Sequence, residues 1–505
     1  METDLFMLLD ANSRNILSIF SIISEKNEWY SIHEISEKLN VVERTIQRYV
    51  IQLKDCIEQF NKEEKEEDRL YLSYEKYRGV YLETPKGQGL NRFKQLVLEQ
   101  DETFMMLKQI FFEEFQSVTK YSMDHFISES KVRKGIKKIR QYLKRYHLSL
   151  SNISFRIVGE EKQIRLLTYY LTWYGFKGND WPFKQVSQSK VYEVVDGLNQ
   201  SLEMHLTQTQ RKQLAYMLAI NLFRLGKNHV IKFESEWKDY VNITQILNQA
   251  PFLEILFLKR QQALTAEIYF YLLLIQLRMN IYQCDNLTRQ VLDYHKKNNS
   301  DVFLVTHSLV STFHQELLPI PKNYYDSFFL TTFCTHLFCK LFHHVSLTID
   351  GRYMLDDTQE KYTVLYSELH RLVDKVYNQT NDSIFLQKRF LVQKYMLLFS
   401  MIKPLTYFEP TICILLESDL PYLTKELLER DMTYRYSGQY HIEFIDTYDG
   451  KEVDIVLTNV SNIFNRNDSM SPMIQYFDFP LTIRDYEELD RLIKRTYQCK
   501  YLKVD

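Results

Sequence analysis

Hydrophobic residues recur at helical spacing through the first sixty positions of the chain. Ser31 and Glu34 have the spacing of a capping box, which predicts a short helix over Ile32–Leu39. Asn40 and Val41 form a predicted tight turn, and a third helix is expected from Val42 to Phe60. A capped helix, a short turn and a second helix predict a helix-turn-helix. The helix before it carries the apolar positions Ile16, Leu17, Ile19, Phe20 and Ile23.

Two short runs of strand-forming residues follow this helix-turn-helix. Leu70–Tyr74 and Val80–Glu83 lie on either side of Tyr77-Arg78-Gly79, a turn sequence. The pattern predicts a β-hairpin in the place of a wing. We therefore expect a winged helix-turn-helix.

The same pattern of helices and a short turn recurs over about residues 89–165. Helices are expected at Leu90–Gln100 and Thr103–Gln116, then a short one at Met123–Ile127. The turn Ser128-Glu129-Ser130 leads into a long helix, Lys131–His147. This order predicts a second helix-turn-helix.

The long helix has one apolar face and many cations. Val132, Ile136, Ile139, Leu143 and Tyr146 step by four and three residues, so that face is expected to be buried. Between residues 131 and 147 there are eight Lys or Arg and no Asp or Glu. A charge run of a single sign on a recognition helix favours contact with phosphates over an ordinary solvated surface.

The middle of the chain, about 175–405, is predicted to be helical throughout and contains a weak internal repeat. Leu222–Leu225 is echoed by Leu337–Leu341, and His229-Val230 by His344-Val345. The polar run Lys296–Asp301 is a candidate linker between two helical bundles.

The tail changes to alternating strands and helices. Strands are expected at Thr411–Glu417, His441–Asp446, Asp454–Asn459 and Met473–Phe477, and helices at Tyr422–Arg430 and Thr482–Tyr497. This alternation predicts a small α/β domain with a mainly parallel sheet. Residues 406–505 have a net charge of −7, which favours protein–protein contact over nucleic-acid contact for the tail.

Composition agrees with a long helical chain. Only 12 glycines and 10 prolines occur in 505 residues, and the net charge is −2, so nucleic acid would have to be bound by a local patch. No apolar stretch reaches the roughly 18 residues that a membrane span needs. Six cysteines in so long a chain and a start without a secretory signal lead us to expect a reduced, cytoplasmic protein.

Candidate DNA-contacting residues follow from the two recognition helices. In the first, Arg44, Gln47 and Arg48 are expected to face a major groove, with Thr45 as a short donor. The acidic stretch Asn61–Asp68 directly behind that helix should point away from DNA. In the second, the candidates are the cations Lys131, Arg133, Lys134, Lys137, Lys138, Arg140, Lys144 and Arg145.

The order of these parts resembles the Mga/AtxA class of virulence regulators from low-GC Gram-positive bacteria. Local stretches that look like that family are Trp29–Ile35, Thr45–Tyr49, Asn179–Phe183, Tyr325–Phe328, Asp454–Asn459 and Phe479–Asp485. The resemblance implies a mainly α multidomain fold. It would comprise a winged helix-turn-helix (1–88), a second helix-turn-helix (89–170), two phosphotransferase-system regulation domains, or PRDs (171–290 and 291–405), and an EIIB-like α/β domain (406–505).

The resemblance also implies a function. It is that of a dimeric regulator that binds double-stranded DNA and responds to carbohydrate status through phosphocarrier proteins, with no cofactor and no membrane partner. Regulation domains of this type are controlled by phosphoryl transfer to histidine. Where the family carries the histidine of its first repeat, this chain has Gln210-Arg211-Lys212, so His205 is the nearest candidate, and His336 is the candidate in the second repeat.

Three other interpretations compete with a DNA-binding regulator. Cys334, His336, Cys339 and His343 could ligate zinc, but burial of a helix explains the same run without a metal. An RNA-binding antiterminator shares such regulation domains but begins with a small β domain. Phosphotransferase chemistry would need a cysteine just after the first strand of the tail, where the chain has Glu417-Ser418-Asp419; Cys413 lies within the strand. Neither a P-loop nor another catalytic motif is present, so no enzyme activity is predicted.

Overall fold

The computed structural model describes residues 4–83, 87–176, 178, 180–253, 263–343, 361–446, 453–460 and 472–501. The chain divides into two compact parts. The first part is Met1–Ser300 with Phe338–Tyr353, and the second is Asp301–Leu337 with Met354–Asp505. The described residues are mainly helical, with a small parallel sheet near the C-terminal end, as the sequence predicts. The boundaries of the five predicted domains stay predictions.

The first helix-turn-helix forms where the pattern predicts it. It consists of α1 (Ala11–Ile23), α2 (Ile32–Leu39) and α3 (Glu43–Glu63), followed by the antiparallel hairpin β1 (Tyr71–Glu75) and β2 (Gly79–Glu83). The apolar positions of α1 and α3 are buried against each other, which fixes the recognition helix on the scaffold.

The second helix-turn-helix differs from the prediction in detail. It contains α4 (Gly89–Gln100), α5 (Glu102–Phe111), α6 (Val118–Asp124) and α7 (Glu129–Arg145). The helix predicted to reach Gln116 ends at Phe111, because Glu113 takes a left-handed conformation with φ of 55°. The short helix predicted at Met123–Ile127 begins instead at Val118, where the Ser117 side chain caps it.

The turn and the length of α7 also need correction. Ser128 is the N-cap of α7 and its Oγ accepts from the Lys131 amide (3.3 Å), so Glu129 and Ser130 already lie in the helix. The helix ends at Arg145 because His147 is left-handed, with φ of 56°. A second, two-residue hairpin follows, β3 (Ser149–Leu150) with β4 (Ile157–Val158), which the sequence pattern did not predict. The second unit therefore also has a wing.

In the middle of the chain, every regular secondary-structure element among the described residues is a helix. In the first part the helices are α8 (Glu161–Phe176), α9 (Gln188–Ser201), α10 (Gln208–Gly226), α11 (Trp237–Tyr240), α12 (Ile243–Gln249), α13 (Ala263–Gln276) and α14 (Asp285–Lys297). Next come α15 (Asp301–Thr312), α16 (Lys322–Leu341), α17 (Thr363–Thr380) and α18 (Lys388–Phe399). Of the run predicted as a linker, Lys296 and Lys297 end α14, Asp301 begins α15, and only residues 298–300 lie between the two helices. His344-Val345 of the internal repeat and Asn179 of the family-like stretches lie outside the described residues.

The tail is a four-stranded parallel sheet with two helices. The strands β5 (Thr411–Glu417), β6 (His441–Ile445), β7 (Ile455–Thr458) and β8 (Met473–Tyr476) pair in the order β6-β5-β7-β8. The helices α19 (Tyr422–Tyr436) and α20 (Ile483–Tyr501) contribute Leu428, Met432, Leu489 and Ile493 to the core that covers β5 and β7. The predicted parallel sheet is confirmed. Among the described residues, no helix is both long and apolar enough to cross a membrane.

Candidate nucleic-acid interface

The start of α2 in the first unit is fixed by reciprocal hydrogen bonds. Ser31 Oγ accepts from the Glu34 amide (3.1 Å), and Glu34 Oε2 accepts from the Ser31 amide (2.7 Å). This is the predicted capping box, and it satisfies two of the free donors at the start of α2. Asn40 ends α2 in a left-handed conformation with φ of 51°. Glu43 is the first residue of α3, and its carboxylate lies 3.0 Å from His33 Nδ1 of α2.

The predicted base-reading residues lie at the start of α3. Arg44, Gln47 and Arg48 are exposed, and Thr45 is half-buried. At 100° per residue, the three exposed side chains fall within an arc of about 100° of the helix surface. The Arg48 guanidinium lies over the Tyr49 ring, 4.9 Å from its centroid. A helix with this face can present hydrogen-bond donors to base edges.

The wing of the first unit is tied back to the chain before α2. Tyr30 and Val80 exchange two backbone hydrogen bonds of 2.8 Å. Gly79 has φ of 105°, and a Cβ there would lie 2.1 Å from the Tyr30 carbonyl oxygen, so this position requires glycine. Arg78 stacks on Trp29 at 4.2 Å, while Tyr77 at the tip is 95% exposed. The hairpin thus presents a cationic and aromatic tip.

The acidic stretch Asn61–Asp68 at the end of α3 is partly buried. Glu64 accepts from Arg92 (2.9 Å), and the buried Asp68 carboxylate accepts from the Gln88 amide (2.6 Å). Both partners belong to α4 or its N-cap. These two carboxylates are therefore used in joining the two helix-turn-helix units.

The eight cations of the second recognition helix fall into two groups: five that are engaged by other groups or partly buried, and three that are exposed without an ion pair in the described structure. The predicted apolar face of α7 is buried. Lys131 pairs with Glu102 (2.7 Å), Arg133 with Glu129 (3.1 Å), and Lys138 Nζ donates to the Leu9 carbonyl (3.1 Å). Arg145 contacts the Met7 sulfur at 2.8 Å, and Arg140 is half-buried.

The remaining three cations, Lys134, Lys137 and Lys144, are exposed and have no ion pair among the described residues. At 100° per residue they lie within an arc of about 80°, and the exposed Arg133 and Gln141 share that face. We call Arg133, Lys134, Lys137, Gln141 and Lys144 the α7 stripe. Such a row of exposed cations is suited to contact with phosphates.

The two candidate phosphoacceptor histidines lie in opposite environments. His205 is exposed in the loop between α9 and α10. His336 is completely buried, with Nδ1 2.8 Å from Thr306 Oγ1 and Nε2 2.6 Å from the Tyr395 hydroxyl. Burial lowers the pKa of His336 to about 3. A ring with both nitrogens engaged inside a core is a structural residue, so the geometry favours His205, whose phosphorylation stays a prediction.

The zinc hypothesis finds no support in the same helix. His336 uses both ring nitrogens in side-chain hydrogen bonds. Among the described residues, no three His, Cys, Asp or Glu side chains come together as a metal site would require.

Sequence reasoning missed an ionic network between the second helix-turn-helix unit and the helices that follow. Glu113, in the α5–α6 loop, contacts Arg224 (3.1 Å), His229 and, at 3.7 Å, Arg156 of the second wing. Glu161 of α8 also accepts from Arg224 (2.7 Å). No local sequence signal marks this network, because most of its partners lie on different elements, far apart in the chain.

The network continues into the core through Arg165. Its guanidinium is paired with the fully buried Glu267 at 2.6 Å, and it also donates to Glu161 (3.0 Å). Although burial opposes its ionisation, Glu161 has its pKa held below the ordinary value by Arg224 and Arg165. Each of these buried charged groups has partners of opposite sign, which offset the cost of removing it from water.

The α7 stripe lies within a region that matches a known domain. Residues 86–172 match the family model described as the Mga helix-turn-helix domain. The chain carries an Mga helix-turn-helix domain. In the structure this Mga domain comprises α4 to α7, the second wing and most of α8.

Relatives with described functions match a larger share of the chain. The capsule synthesis positive regulator AcpA of Bacillus anthracis is 22% identical over 72% of this chain and 73% of its own length. The capsule synthesis positive regulator AcpB of the same organism is 21% identical over 61% and 63%. The anthrax toxin expression trans-acting positive regulator of B. anthracis is 22% identical over 43% of each chain. The chain thus covers less than two thirds of the last two relatives. The predicted resemblance to the Mga/AtxA class is confirmed.

Proposed function

We propose that this protein is a transcriptional regulator that binds double-stranded DNA through both helix-turn-helix units. The observation that carries the proposal is the α7 stripe on the recognition helix of the Mga domain, in which Lys134, Lys137 and Lys144 are exposed and make no ion pair in the described structure. Three relatives are named as positive regulators of capsule or toxin expression, which supports a role as an activator of virulence genes.

The two units have different tasks in this proposal. The α7 stripe neutralises phosphates and supplies most of the affinity, because each neutralised phosphate releases counterions. Arg44, Gln47 and Arg48 on α3 read base edges, and base contacts carry sequence preference whereas phosphate contacts position the protein. Each wing follows its recognition helix in the sequence, and the tips of the two wings extend the contact with DNA.

Titration of labelled duplex DNA and hairpin RNA over a range of salt concentrations tests the proposal. We expect tighter binding of duplex DNA with a steep loss of affinity as salt rises. Equal affinity for both nucleic acids without salt dependence would end the DNA-binding proposal. Preferential binding of hairpin RNA would favour an antiterminator instead.

We further propose that the protein acts as a homodimer held by its tail. One side of α19 packs on the sheet through Leu428, Met432 and Tyr436. The other side exposes Leu423 (79%) and Tyr434 (85%), which lie eleven residues apart and therefore share a helix face. Large exposed apolar side chains on one face of a helix favour association with another protein surface.

Control by phosphorylation is the third element of the proposal. His205 is accessible to a phosphocarrier protein, and a phosphoryl group would add about two negative charges to the α9–α10 loop. This would couple DNA binding to the activity of the sugar phosphotransferase system. Incubation of the protein with phosphorylated phosphocarrier proteins, followed by mass spectrometry of parent and His205→Ala protein, tests the step. Equal incorporation into both would rule out His205.

A further inference from the structure

The turn before the second recognition helix exposes an aromatic side chain in a strained conformation. Phe126 is 97% exposed, although an exposed phenyl ring gains nothing from contact with water. Its φ is 55°, in the left-handed region that bulky side chains rarely adopt. Exposure and backbone strain at the same residue indicate that its side chain serves a function other than stabilising the fold.

Comparison of the two helix-turn-helix units shows what this position can hold. Phe126 lies two residues before Ser128, the N-cap of α7, and Asn40 lies two residues before Val42, the N-cap of α3. Both residues are left-handed, with φ of 55° and 51°. Asparagine tolerates this conformation much better than phenylalanine does. The backbone of the turn therefore does not require an aromatic residue.

The surroundings of Phe126 are those of a DNA-contacting turn. The turn is held by the Ile127 amide, which donates to the Ser122 carbonyl (3.1 Å). The next element is α7 with its stripe of lysines, which complements a phosphate backbone. In helix-turn-helix proteins the N-terminal end of the recognition helix is the part that contacts base edges. The apolar group that a major groove offers at those edges is the C5-methyl group of thymine.

We propose that Phe126 contacts thymine C5-methyl groups in the major groove and so makes the second unit selective for A·T base pairs. This inference rests on the proposed DNA-binding function. It assigns base selectivity to a unit whose cations alone would bind any sequence.

The test combines Phe126→Asn with removal of the methyl groups from the DNA. Phe126→Asn places the residue of the first unit at the equivalent position, so we expect no loss of thermal stability. The DNA is an A·T-rich duplex, prepared once with thymine and once with deoxyuridine, which lacks only the methyl group. The parent protein should bind the deoxyuridine duplex about fourfold more weakly for each methyl group that Phe126 covers in the thymine duplex.

Phe126→Asn should bind both duplexes equally, at the parent's affinity for the deoxyuridine duplex. The salt dependence of its binding should equal that of the parent, since no cation is removed. Leu386→Asn, which removes an exposed leucine from the second part of the chain, is the matched control and should retain the parent's preference for thymine.

The outcomes separate this inference from the proposed function. Salt-dependent binding of the parent with no difference between the duplexes overturns the role of Phe126 and leaves DNA binding intact. A difference that persists unchanged in Phe126→Asn also overturns it. Absence of binding to either duplex refutes the proposed function itself.

Discussion

Replacement of Lys134, Lys137 and Lys144 by alanine should remove a defined part of the electrostatic free energy of DNA binding. All three side chains are exposed and make no ion pair in the described structure, so the change disturbs no buried contact. Each neutralised phosphate contributes about 0.9 to the slope of log K against log salt concentration, so three contacts contribute about 2.7. At about 0.1 M salt, a difference of 2.7 in that slope corresponds to roughly 500-fold weaker binding if the affinity extrapolated to 1 M salt is unchanged.

The assay is fluorescence anisotropy with a labelled duplex at several salt concentrations. A variant with Lys190, Lys212 and Lys232 replaced by alanine has the same change in net charge on exposed lysines outside the Mga domain, and its slope should match the parent's within error. Lys138→Ala tests the distinction between engaged and free cations on α7. Lys138 donates to the Leu9 carbonyl, so its replacement should leave the slope nearly unchanged. An unaltered slope in the Lys134/Lys137/Lys144 variant would refute the assignment of the α7 stripe to phosphates.

Three further changes test other parts of the structure. Glu43 accepts a hydrogen bond from His33, and Glu37 adds attraction, which raises the pKa of His33 above its ordinary value. The interaction therefore stabilises the turn fully below about pH 6.5, and this stabilisation disappears as the pH rises through the folded-state value. Amide hydrogen exchange in α2 and α3 should differ between parent and His33→Ala at about pH 6 and converge by about pH 9, and a pH-independent difference would contradict this. Glu113→Gln should lower the midpoint of thermal unfolding, because Arg224 and His229 lose a nearly buried carboxylate. Glu114→Gln, at an exposed neighbour, should leave the midpoint unchanged, and equal midpoints for the two variants would show that the network adds no stability. Leu423→Lys should shift sedimentation of the full chain toward the monomer, whereas Leu386→Lys, at an exposed leucine outside α19, should not. An unchanged dimer in Leu423→Lys would move the interface away from α19.

The sequence predicts those elements whose signals are local. The capping box at Ser31 and Glu34 sets the start of α2, and the apolar steps along α7 predict its buried face, because both depend on residues within one or two turns. The sequence also predicts every end of the four tail strands to within one residue, since Thr411–Glu417 and Ile455–Thr458 are apolar runs between turn residues. In these places local preference and tertiary structure agree.

What the sequence did not predict depends on contacts between distant residues. The position of α6 is set by the left-handed Glu113 and the Ser117 cap, and Glu113 in turn is held by Arg224 and His229, more than a hundred residues away. The second wing has only two residues in each strand, too few for a pattern of alternation. Lys138 resembled its neighbours in sequence, but its partner Leu9 lies 129 residues earlier.

The contrast between the two recognition helices favours joint rather than independent action. On α3, the face with Arg44, Gln47 and Arg48 also carries the exposed Ile51, so it has donors for bases but fewer cations for phosphates than the α7 stripe. Such a face binds weakly alone, because phosphate contacts supply most of the non-specific affinity. In the proposed complex, once α7 has bound the duplex, the engagement of α3 would become intramolecular, and its preference for particular bases would decide the position on the DNA. The carboxylates of Glu64 and Asp68, which accept from Arg92 and the Gln88 amide, join the two units and would hold them together in that complex. In the proposed homodimer the same reasoning applies again, so that disruption of the tail interface would weaken DNA binding although no residue that touches DNA has changed.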